Sequence, residues 1–179
     1  MLKEIHKIKD CKRINLLVGK NGAGKTAILE SIKRKYENKV IFPDIFAEEY
    51  YKDVSEYRSV RKLGFKPQAR DLVLNYFKKE EKIFLFEEIE NGLHHSVMKD
   101  FWLNVIAATI EIENDVQIFA TTHSYEMVEA LVEAAKETDL IEKDEIRLFK
   151  IVKRGNETLV GSYTAEEIQA KVESGLEIT

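Results

Sequence analysis

Two rhythms of apolar and polar positions alternate along the chain. "RINLLVG", "KIFLFEE" and "VQIFATT" are short unbroken apolar runs, the pattern of strands buried on both faces. Between them apolar residues recur at helical spacing. "KTAILESIKRKY" places Ile28, Leu29 and Ile32 on one face, and "HHSVMKDFWLNVIAATIEIEN" places Val97, Phe101, Val105 and Ile106 on another. "SYEMVEALVEAAKE" reads as a helix capped by Ser124, and "TAEEIQAKVESG" as one capped by Thr164, with Glu167 completing a capping box. "KVIFP" is a short strand closed by Pro43. "EIRLFKIVKRGNETLVGSY" is a hairpin turning at Arg154, Gly155 and Asn156. "KEIHKIK" alternates charge and apolarity and predicts one exposed strand. Residues 44–62 and the stretch "ARDLVLNYFKKEE" predict two further helices, separated by the break "LGFKPQ". Strands alternating with helices predict an α/β fold with a mostly parallel sheet covered on both sides. The N-terminal strand and the late hairpin are expected to add antiparallel edges.

Length and composition narrow this only a little. With 179 residues, no internal repeat and no linker, a single domain spanning 1–179 is expected. Hydrophobic residues at 44% suffice for one core, and only two prolines argue against disorder. The net charge of −4 excludes a general nucleic-acid coat, whose binding would rest on counterion release by a basic surface. A lone cysteine, Cys11, excludes an internal disulfide and a cysteine zinc cage. No apolar run reaches eighteen residues and no apolar leader is recognisable, so the expected address is cytoplasmic, away from membranes.

One stretch changes the picture. Residues 15–32 read "NLLVGKNGAGKTAILESI": a buried strand ends in three glycines and then in lysine and threonine. Glycines are costly to order, so their density needs a reason. Residues 19–26 fit G-x-x-x-x-G-K-[ST] between a strand and a helix. Such a loop curls its N–H groups around an anion, and the following helix adds its positive end. Asn21, Gly22, Ala23, Gly24, Lys25, Thr26 and Ala27 are therefore the candidate nucleotide-binding set. Lys25 reaches the β- and γ-phosphates, and the Thr26 hydroxyl ligates Mg²⁺. A plain tight turn would explain one or two glycines but not the lysine and threonine that follow.

The strand Ile83 to Phe86 ends in Glu87 and Glu88. In a parallel sheet, chemistry gathers at the carboxyl ends of strands, where the phosphates would sit. Glu87 is the candidate metal residue, with Thr26, and Glu88 the candidate general base for an attacking water. The metal-side acid at this position is commonly aspartate; glutamate is one methylene longer. The third buried strand ends in "TTHS", which puts His123 at the same edge, in reach of a γ-phosphate or the attacking water. A histidine zinc site would need a spacing that the sequence does not show.

Together, "INLLVGKNGAGKTAILESI", "FLFEEIENGLHHSVMKDFW" and "IFATTHSYEMVEAL" resemble the ABC-type ATPase domain of the AAA-15/AAA-21-like group, relatives of the overcoming-lysogenization-defect ATPases. The resemblance covers residues 1–34 and 82–179. It implies a P-loop NTPase fold of the ABC-ATPase type, with ATP and Mg²⁺ as cofactors. Residues 19–26 would be Walker A, Glu87 and Glu88 Walker B, and His123 the switch histidine. The run from Glu90 to His94 would fall in the D-loop region. It also implies heads that pair around two nucleotides, giving a nucleotide-dependent homodimer or a separate protein partner; nucleic acid enters only by family analogy. The departure lies in residues 35–81, a shortened lid and signature region with no Ser-Gly-Gly-type signature. A nuclease activity is not expected within these residues.

Three functions compete. The leading one is an ATPase head, a phosphoanhydride hydrolase that works as a nucleotide-driven switch. The second is a nucleotide-binding module without hydrolysis, motivated by the missing signature and the glutamate at 87. The third is a P-loop small-molecule kinase, with Arg58, Arg61 and Arg70 as candidate lid arginines.

Overall fold

The computed structural model describes residues 4–5, 8–36, 40–41, 83–91, 93–111 and 116–175. The elements are β1 (Glu4–Ile5), β2 (Ile8–Lys9), β3 (Ile14–Val18), α1 (Lys25–Lys35), β4 (Val40–Ile41) and β5 (Ile83–Phe86). They continue through a 3₁₀ turn (His95–Val97), α2 (Met98–Glu111), β6 (Gln117–Thr122), α3 (Tyr125–Lys136), β7 (Ile146–Arg154), β8 (Glu157–Thr164) and α4 (Ala165–Glu173). The two helices expected between residues 44 and 81 lie outside the described residues.

Six strands form one sheet in the order β4-β5-β6-β3-β7-β8. Every neighbouring pair is parallel except β7 and β8, whose hairpin closes one edge. A mostly parallel sheet with helices on both faces is the α/β arrangement that the sequence predicts. Strand residues alternate between two cores, as a period of two requires. Leu16, Val18, Phe84, Ile118 and Leu148 face α2, α3 and α4. Leu17, Leu85, Phe119 and Phe149 face α1 through Ile28, Leu29 and Ile32. Strands β3, β5 and β6 are buried throughout, which explains their unbroken apolar runs.

The expected single N-terminal strand is instead a separate two-stranded antiparallel pair, β1 with β2, and adds no edge to the main sheet. Ile8 explains why. Its side chain is fully buried in the cluster containing Leu17, Phe149 and Ile151, so β2 covers a face of the sheet.

Both helix caps read from the sequence are present. Ser124 Oγ accepts from Met127 N–H, and Thr164 and Glu167 form the reciprocal box. Among the described residues, no helix is long and apolar enough to cross a membrane.

Candidate nucleotide site

Helix α1 differs from α3 and α4 at its start. Its first turn follows Gly24, in a left-handed conformation (φ 107°), with no side-chain cap and no acidic residue in the first turn. A helix left uncapped at its positive end offers its N–H groups to an anion. Within the preceding loop, Ala23 N–H closes a turn on Lys20 O at 3.1 Å, and the Ala23 side chain is buried. Asn21, Gly22, Thr26 and Ala27 are exposed along the loop and the first turn.

Lys25 is buried, and its Nζ donates to the carbonyls of Gly19 and Lys20. These contacts are neutral oxygens. A cation held in this way keeps most of its electrostatic attraction for an arriving anion. Gly19 is required by contact: a Cβ there would run into Ile151 O of β7.

Thr26 and Glu87 are 61 residues apart in sequence, yet Thr26 Oγ1 donates to Glu87 Oε1 at 2.5 Å. The sheet order explains the meeting, since β6 alone separates β3 from β5. The two oxygens fit Mg²⁺, a hard cation that takes one or two protein oxygens beside phosphate and water. Among the described residues no group of three or more His, Cys, Asp or Glu side chains is placed to hold a metal ion.

Residues 63–129 match the family model described as "AAA domain, putative AbiEii toxin, Type IV TA system". Over those residues the chain is similar to an AAA-21-type domain, and the match spans about a third of its length. The matched segment holds both β5 acids and His123; the glycine loop lies outside it. No curated protein matches the chain.

The turn after β5 is tied to the end of β6 one residue at a time. Glu88 N–H donates to Thr121 Oγ1 at 2.8 Å, and Ile89 N–H to Thr121 O at 3.0 Å. Glu90 Oε1 accepts from His123 N–H at 2.9 Å and lies 2.7 Å from His123 Nδ1. Buried Ile89 anchors the turn in the core. Glu88 has a left-handed backbone (φ 45°), an uncommon conformation for a residue with a Cβ. Its Oε2 accepts from Asn91 Nδ2 at 2.6 Å, which orients the carboxylate and leaves Oε1 without a described partner.

The structure brings the loop, Glu87, Glu88 and His123 to one edge of the sheet. Thr121, Glu90 and Asn91 complete that edge; the family resemblance put Glu90 and Asn91 in a D-loop region, but neither the Glu90–His123 contact nor the bonds to Thr121 were expected. Their signal was weak: a second threonine at a strand end, and polar residues in a run otherwise explained by the family resemblance.

Proposed function

We propose that this P-loop domain binds Mg-ATP and hydrolyses it as an ABC-like head whose nucleotide state switches its partner contacts. The Thr26–Glu87 hydrogen bond is the observation that carries the reading. It joins the phosphate loop and the acidic strand in one constellation of hard oxygens beside a buried lysine.

The triphosphate would lie against Asn21 to Ala27, with Lys25 at its β- and γ-phosphates. Thr26 and Glu87 would hold Mg²⁺, which supplies charge neutralisation on the phosphate oxygens when bound. Glu88, oriented by Asn91, takes the proton from the attacking water as that water adds to the γ-phosphorus. The bond from the γ-phosphorus to the bridging oxygen breaks in line, and ADP and phosphate leave. His123, at the end of β6, meets the γ-phosphate or the attacking water.

Glu88→Gln should keep ATP affinity and lose about 10²- to 10⁴-fold in turnover, the usual contribution of a positioned general base. Phosphate release unchanged in that variant would remove Glu88 from the role. Turnover that rises steeply with protein concentration would support paired heads. ATP bound without turnover at any concentration would reduce the domain to a nucleotide-binding module. ADP formed only when a small-molecule acceptor is added would favour the kinase instead.

A further inference from the structure

We infer that Glu90 is a positioning residue for His123: its buried carboxylate fixes the imidazole so that Nδ1 faces the protein and Nε2 is the working nitrogen. The inference deepens the proposed reading and rests on it for the role of His123 at the phosphate.

Three observations carry it. First, one oxygen of Glu90 makes two contacts with the same residue, at 2.9 Å to the His123 backbone N–H and 2.7 Å to Nδ1. Backbone and ring are therefore held together, and the ring has little freedom to flip. Second, the Glu90 side chain is 9% exposed whereas that of His123 is 45% exposed. The carboxylate is internal and the ring faces outward, so the contact is no loose surface pair. Third, Glu90 Oε2 is buried with no hydrogen-bond partner among the described residues. A buried carboxylate with one oxygen unsatisfied is costly, and its pull concentrates on the donors that it does have.

A ring nitrogen bonded to a carboxylate carries the proton, and this sets the tautomer of a neutral imidazole. Nδ1–H then points at Glu90 and Nε2 carries the lone pair, able to accept from an attacking water. In the protonated ring both nitrogens donate, and Nε2–H can reach a phosphate oxygen while Nδ1–H stays with Glu90. Either way the same nitrogen works. The backbone ties at Glu88 and Ile89 prevent Glu90 from drifting. Glu90 follows Glu88 by two residues, so the base and the histidine are set by one rigid turn. Carboxylates that orient metal-bound histidines change activity by about ten- to a hundredfold, and a loss of that order is expected here.

The test uses the full chain with ¹⁵N-labelled histidine. Long-range proton–nitrogen spectra at alkaline pH, with the His123 signals assigned by their loss in His123→Gln, report which ring nitrogen is protonated. The expected result is Nδ1–H in the parent protein and in Glu90→Gln, whose amide oxygen still accepts, and a mixture of both forms in Glu90→Ala. With Mg-ATP, Glu90→Ala should lower kcat about ten- to a hundredfold at nearly unchanged KM. It should add nothing in a His123→Ala background. A parent ring protonated at Nε2, or ring signals unaltered by Glu90→Ala, would overturn the inference. So would losses that simply add. A parent protein without turnover would count against hydrolysis alone, because the spectra decide the role of Glu90 without it.

Discussion

Glu88 shows how much a single residue can disclose. A glutamate at φ 45° sits in a region that costs of order 1–3 kcal/mol for a residue with a side chain. The bond from its N–H to Thr121 and the bond it accepts from Asn91 hold it there. Glycine suits that backbone, so Glu88→Gly should unfold at an equal or higher denaturant concentration while ending turnover. A clear loss of stability in that variant would show that the carboxylate is structural. Thr26 makes a second prediction at this scale. Thr26→Ala should raise the Mg²⁺ concentration needed for nucleotide binding by about tenfold, read by titrating Mg²⁺ at fixed nucleotide. The sequence pointed to both residues by position, Glu88 just past a buried strand and Thr26 in the first turn after the glycine loop. It did not point to the role of Glu90, because a contact between residues 90 and 123 needs the turn geometry, and periodicity does not carry it.

At the scale of elements, the buried strands were readable and the marginal ones were not. "NLLV", "IFLF" and "QIFATT" are apolar because both sheet faces are covered, and the chain records that directly. The alternation of "KEIHKIK" fitted a half-exposed strand equally well in one piece or two. The antiparallel pairing of Ile5 with Ile8 decides the matter, and burial of Ile8 against the sheet face, invisible in the local pattern, holds the pair in place. The sequence pattern of the glycine loop suggests a ligand cradle, and part of its glycine content also serves packing. Gly19 lies against the Ile151 carbonyl, where β7 passes the loop. Gly19→Ala should therefore cost about 1–3 kcal/mol, the range for forcing extra volume into a packed position, measured by chemical denaturation. An unaffected midpoint would mean that loop and strand are not packed this closely.

For the molecule as a whole, one cluster far from the site ties the N-terminal loop to β7. Arg147, with 3% of its side chain exposed, lies 2.5 Å from Asp10 Oδ2 and 3.1 Å from Asp144 Oδ2, while Lys12 lies 2.9 Å from Asp144 Oδ2. Burial pushes the Asp144 carboxyl upward, but the hydrogen bond from Lys12 and the charge of Arg147 outweigh it and hold the carboxyl below its ordinary value of 3.8. A depressed carboxyl stabilises the fold above its ordinary value and loses that contribution as pH falls through the lower folded value. Acid denaturation below pH 3.8 should therefore be partly blunted in Asp144→Asn. The variant should also cost no more than about 1 kcal/mol at neutral pH, since Asp144 is half-exposed and its pairs are screened by solvent. An identical acid profile in the variant would remove this cluster from the account.

The central claim is that the glycine loop and the start of α1 grip a triphosphate through Lys25. Isothermal calorimetry of Mg-ATP titrated into the folded chain and into folded Lys25→Ala tests it most directly. The account predicts saturable heat for the parent chain and its loss in the variant. No heat with either protein, or identical heat with both, would contradict it.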